Sequence, residues 1–205
     1  MNFFQSASSA AAFATLGGVT SGIVKTIQDA SDSGGAISSG HVDVVLISAF
    51  IVMFCLKETF DDFKHFAEKP DGRERHRYAG FIVAVFFWII LAVAGFFVYK
   101  PGISALILCA FMAMTTIWVG IHVLEMMMDA NRREEESGKI RLRVTWIIIN
   151  CSYLIVLIAY VLGIAISISR GDTLLNVSGK WFLGGLFVIL AYDMWISRSY
   201  PAEAV

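Results

Sequence analysis

From Pro101 to Asp129 the chain reads PGISALILCAFMAMTTIWVGIHVLEMMMD, with no charged side chain before Glu125. A helix needs roughly 20 apolar residues to cross the ~30 Å hydrocarbon core of a bilayer. This run exceeds that. Counted from Gly102 it makes a helix of about 40 Å, so it must tilt or protrude. Few folds other than a membrane bundle accommodate such a segment. The composition agrees: 57% of residues are hydrophobic, 16% are charged and the mean hydropathy is +0.70. A soluble domain averages roughly 45–50% apolar and about 25% charged.

The remaining apolar blocks fall around this one as further crossings. The expected fold is all-α, a polytopic integral membrane protein with five transmembrane helices at about 42–56, 78–99, 102–128, 144–168 and 181–196. A small-residue amphipathic helix over residues 2–25 and a Ser/Gly-rich connector precede them. Two units follow: residues 1–40, non-cytoplasmic, and the bundle of residues 41–205. In the N-terminal helix Ala10, Ala14, Gly18 and Gly22 recur every fourth position. Such a stripe lets a second helix approach closely; the alternative is a helix lying on the membrane surface. The first span continues past the membrane face as KETFDDFKHF. Lys100-Pro101-Gly102 reads as a tight turn.

Charge sets the orientation. Lys57, Lys64, Lys69, Arg73, Arg75 and Arg77 follow the first span, and Arg132, Arg133, Lys139, Arg141 and Arg143 follow the third. The opposite side carries Lys25, Lys100, Arg170 and Lys180. Positive residues stay cytoplasmic, which implies the cell (inner) membrane with the N-terminus outside and the C-terminus inside.

Ionisable residues close to apolar spans are the first place to look for function. His122, Glu125 and Asp129 stand at i, i+3 and i+7 and share a helix face. Glu58, Asp62 and His65 stand at i, i+4 and i+7 and do the same. Together they suggest a proton or ion site at the cytoplasmic ends of spans one and three, against the alternative that they snorkel to water. Asp193 lies in the last span, where Arg198 is placed to pair with it; the alternative is that it joins this cluster as a gating or proton-binding carboxylate. Asn150, Ser152 and Tyr153 are polar groups inside the fourth span.

Other chemistries lack their residues. No Walker loop, GxGxxG or HExxH occurs, and no lysine falls inside an apolar span as these are drawn. Cys55, Cys109 and Cys151 lie within apolar blocks and read as small hydrophobes. Met126, Met127 and Met128 point in different directions on a helix and cannot form one copper site. Neither metal nor cofactor is expected, and the near-neutral charge of −1 leaves no basic patch for nucleic acid.

Ala110-Phe111-x-Ala113-x-Thr115-Thr116 with Val119 and His122 resembles the second span of Orai calcium channels. Those channels place a glutamate in the pore-lining span, whereas Phe81 to Val98 here holds no acid. The expected function is therefore a non-enzymatic multi-pass subunit that packs in the lipid bilayer with copies of itself or other membrane subunits. The alternative is an ion or proton channel or transporter using the carboxylate and histidine cluster.

Overall fold

The structure is a computed structural model. It describes residues 3–32, 39–67, 74–128, 137–170 and 175–199, excluding the side chains of residues 3–5, 7–8, 39, 62–67, 74–81, 137, 139, 170, 175–179 and 199. The described residues form six helices and no strand: α1 (Phe3–Asp32), α2 (Ser39–Ala67), α3 (Glu74–Phe96), α4 (Pro101–Met128), α5 (Ser137–Arg170) and α6 (Leu175–Ser199). Five are long and apolar enough to cross a membrane, through Ser9–Asp32, Gly40–Asp61, Pro101–Met128, Ile140–Ser169 and Lys180–Arg198. The apolar part described in α3 is Ile82–Phe96. The chain thus has the architecture of a multi-pass membrane protein.

In lipid every backbone polar group must be satisfied within the protein, and helices do this alone. Most of the hydroxyls that are described follow the same rule, although those of Ser48 and Ser167 are buried with no hydrogen-bond partner. Thr15, Thr20, Thr26, Thr59, Thr116, Thr145 and Ser152 each donate to the carbonyl four residues back, at 2.7–3.1 Å. A tight turn joins α3 to α4, with the Lys100 N–H donating to the Phe97 carbonyl at 2.8 Å. Pro101 starts α4, where a missing N–H costs nothing. The buried Ser104 hydroxyl then clamps the pair by donating to the Ala94 carbonyl at 2.9 Å.

α2 is the central helix. It buries 44% of its apolar window, against 22–28% for the other four candidate spans. Around it α1 packs on α3, α3 on α4, α4 on α5 and α5 on α6, while α2 touches α1, α3, α4 and α6. The backbones of α2 and α5 barely approach each other. Large side chains bridge them: Phe50 and Phe54 of α2 meet Tyr153 of α5 at centroid distances of 5.7 and 5.9 Å. Phe54 also meets Phe111 of α4 edge-on at 5.6 Å, and Phe50 meets Phe187 of α6 at 6.3 Å.

The N-terminal helix departs most from the sequence reading. It is a full member of the bundle, running antiparallel to α2. Ala12 lies level with Cys55, whose sulfur is 4.0 Å from its carbonyl. Lys25 reaches Tyr99, its ammonium 4.0 Å from the ring centre. The small-residue stripe is rotated from its expected position. Gly18 and Gly22 do face another helix, and it is α3 of the same chain. A Cβ on Gly18 would sit 2.8 Å from the Ala92 carbonyl oxygen, and one on Gly22 would collide with Val98. Ala10 and Ala14 point outward and are exposed. Thr15 and Val19 take their places inside.

Of the triple methionine, Met126 is buried while Met127 and Met128 are exposed, as a helix requires. All three cysteines are free.

Candidate functional site: a charged seam on the central helix

One face of α2 carries Asp43, Ile47, Phe50, Phe54, Lys57 and Asp61, spaced by threes and fours so that all six align along the helix. Ile47, Phe50 and Phe54 make its middle apolar, and charge collects at the two ends. The facing rows are Tyr153, Leu157 and Tyr160 on α5 and Leu183, Leu186, Leu190, Asp193 and Ser197 on α6. All eight are buried.

At one end Lys57 gathers three carboxylates. Its ammonium lies 2.8 Å from Glu58 Oε1, 3.1 Å from Asp61 Oδ2 and 3.1 Å from Asp193 Oδ2. The Lys57 side chain is 10% exposed and that of Asp193 only 2%. Tyr153 donates its hydroxyl to Asp193 Oδ2 at 3.4 Å, and Ser197 donates to Asp61 Oδ2 at 3.2 Å. Asp193 Oδ1 is buried with no hydrogen-bond partner. The Lys57 ammonium also stands 5.8 Å from the Phe54 ring centre, so the cluster sits directly on the aromatic core.

The electrostatics are unequal. Among the described residues three acids face one ammonium, and taking even a paired ion out of water costs several kcal/mol. Lys57 balances one negative charge. Glu58 and Asp61 keep some access to water, with side chains 33% and 23% exposed. Asp193 has almost none. The arrangement can therefore hold an additional proton at the carboxylate edge the ammonium leaves free.

Only part of the expected cluster lies here. Glu58 and Asp193 belong to the seam. Asp193 is bound by Lys57 of α2, and the expected partner Arg198 is exposed instead. The reason is rotation: Asp193 continues the buried leucine row of α6, from which Arg198 is turned away. His122 and Glu125 pair with each other at 3.2 Å on a surface of α4, where His122 also packs edge-on against Trp118 at 4.5 Å. No hydrogen bond or ion pair joins them to Glu58 among the described residues. The side chains of Asp62 and His65, and the whole of Asp129, lie outside the described residues. Among the described residues no three His, Cys, Asp or Glu side chains converge as metal ligands would.

Sequence reasoning misses Lys57, Asp61 and Asp43, and it misses Tyr153 as a partner. Ending the first span at residue 56 groups Lys57 with the loop cations. The apolar helix continues to Asp61, so a lysine does lie within a span. The available signal is the α2 spacing itself: extending the row Ile47, Phe50, Phe54 by its own period lands on Lys57 and Asp61 in one direction and Asp43 in the other. No protein-family model, curated protein or solved structure matches this chain.

Proposed function

We propose that this chain is a non-enzymatic multi-pass membrane protein that moves protons, as a channel or transporter, with the Lys57–Glu58–Asp61–Asp193 cluster as its binding site. The supporting observation is the excess of acids over bases at a buried position on the central helix, with one oxygen of Asp193 unpartnered. Ionisable groups inside a membrane bundle are costly and belong to ion or proton pathways. The spacing of α2 from α5 adds support: side chains fill the seam, so rotamer changes at Phe50 and Phe54 can open it without moving backbone.

The orientation follows the basic connections, which place the Lys57 end of the seam and the C-terminus in the cytoplasm. On this reading α1, antiparallel to α2, has its first turn on the cytoplasmic side as well, where the sequence alone suggests an external N-terminus. In a background lacking the three native cysteines, a cysteine at position 2 resists a membrane-impermeant maleimide added to intact cells. A control cysteine at position 100, in the turn between α3 and α4, reacts. Labelling at position 2 from outside would overturn this topology.

The transport reading is tested in liposomes containing the purified protein and a pH-sensitive dye. Under an imposed proton gradient the wild type dissipates it faster than empty liposomes, and Asp193→Asn does not. Equal traces for wild type and empty liposomes would end the proposal.

One observation favours the packing reading as a companion role. Ala10, Ala14 and Gly17 form an exposed small-residue face on α1, and a Cβ on Gly17 would meet nothing within 4 Å. That face suits close approach by another membrane helix, from a second copy or another subunit.

A further inference from the structure

The other end of the α2 row holds a second buried acid. Asp43 is 9% exposed. Tyr160 of α5 donates to its Oδ2 at 2.9 Å, while Oδ1 is buried and has no hydrogen-bond partner. Lys180 of α6 is near enough to act on it electrostatically. On its own helix His41 lies two residues back. α1 ends on this side with Lys25, Asp29 and Asp32, and the α3–α4 turn contributes Lys100; all four are exposed. Asp43 thus has a neutral donor on one oxygen and no hydrogen bond on the other.

The two ends are built alike. Tyr153 and Tyr160 are two turns apart on one face of α5, and each directs its hydroxyl to the acid at its own end. Each acid keeps one oxygen buried and unpartnered. Asp43 and Lys57 are about four turns apart on α2, about 21 Å along the axis. Ile47, Phe50 and Phe54 fill that interval and are buried. A buried acid at each end with an apolar plug between them separates two compartments while offering a proton a resting place in each.

We infer that Asp43 is a second proton-binding carboxyl, and that Asp43 and Asp193 are the two mouths of one proton path through the α2–α5–α6 seam. This rests on the transport reading above. A proton taken from water on the non-cytoplasmic side converts the Asp43 carboxylate to the acid. When the plug opens to admit a file of water, the proton leaves on that water, restoring the Asp43 carboxylate, is received by the Asp193 carboxylate and is then given up to water on the cytoplasmic side. The reverse gradient runs the same transfer backwards. Tyr160 and Tyr153 are positioning residues: each holds one carboxylate oxygen so that the other faces the path.

The test uses dicyclohexylcarbodiimide, a lipid-soluble reagent that adds to carboxyls holding a proton in apolar surroundings. The full-length protein in liposomes is treated with it, digested and mapped by mass spectrometry. Adducts are expected on both Asp43 and Asp193. Asp43→Asn is expected to lose the first adduct, keep the second and transport no faster than empty liposomes. An adduct on Asp193 without one on Asp43 overturns the two-mouth path and leaves the transport reading standing, as does wild-type flux in Asp43→Asn. An adduct on Asp43 without one on Asp193 overturns both. Tyr160→Phe separates a positioning role from a packing one: it is expected to keep the folded helix content and weaken the Asp43 adduct, and an unchanged adduct would contradict the role given to Tyr160.

Discussion

Lys57→Met destabilises the protein by about 3 kcal/mol, the low end of the range for breaking a buried ion pair from one side. The low end applies because the three acids left behind are not equally exposed. Glu58 and Asp61, 33% and 23% exposed, recover hydration. Asp193, 2% exposed, cannot, and its charge then stands uncompensated with only the Tyr153 hydroxyl against it. Lowering the pH returns part of the loss, because a protonated Asp193 carries no charge to compensate. The double variant Lys57→Met/Asp193→Asn recovers most of the stability. The substituted amide oxygen still accepts from Tyr153, and no unpaired charge remains in the core. An unfolding titration in mixed micelles measures all four corners of this cycle. Additive single effects would mean that Lys57 and Asp193 do not act on each other.

Gly18→Leu is expected to cost about 2–3 kcal/mol, in the range for overpacking a filled contact. The new Cβ meets backbone, the Ala92 oxygen at 2.8 Å and the Phe96 nitrogen at 3.1 Å. Neither atom can swing aside as a side chain would, so α1 has to leave α3. Gly17→Leu is the control. Its Cβ meets nothing within 4 Å, and its effect on stability should stay within about 0.5 kcal/mol, as at other surface positions. The pair also separates packing within the chain from packing between chains. If the outer face of α1 holds a second copy, Gly17→Leu reduces the size of the complex in mild detergent while the fold melts as before. Equal melting of the two variants would contradict the α1–α3 contact.

Helix number, the all-α character and the long central apolar run are legible in the sequence because length and hydropathy set them directly. Pro101 even marks the first residue of α4. The role of α1 is not legible. Alanine, serine and glycine stand where the other spans carry large apolar side chains, so it resembles a surface helix. In lipid, close approach at small residues substitutes for hydrophobicity as the reason to pack. The stripe is visible, yet nothing in the sequence distinguishes Ala10 and Ala14 from Ala11 and Thr15 as its inner members. An α-helix advances about 100° per residue, and an error of one position rotates the face.

The charged seam is half legible for a related reason. Glu58 and Asp193 stand out as acids near apolar residues. Their partner Lys57 reads as a loop residue because basic residues beyond a span normally mark the cytoplasmic side. Which acid meets which base depends on α2 lying against α6, a tertiary fact that no spacing within one helix carries. Asp43 escapes notice because an acid at the start of a span resembles an ordinary boundary.

The account rests on exchangeable protons held by buried carboxyls of the seam, and infrared difference spectroscopy across a pH change detects them directly. On acidification the wild type should gain a carbonyl stretching band of a protonated carboxylic acid in apolar surroundings, shifting on transfer to heavy water, and Asp193→Asn should lose a distinct part of it. A wild-type spectrum with no such band, or one unchanged in Asp193→Asn, would show that Asp193 takes up no proton and that the seam is a fixed ion-pair lock.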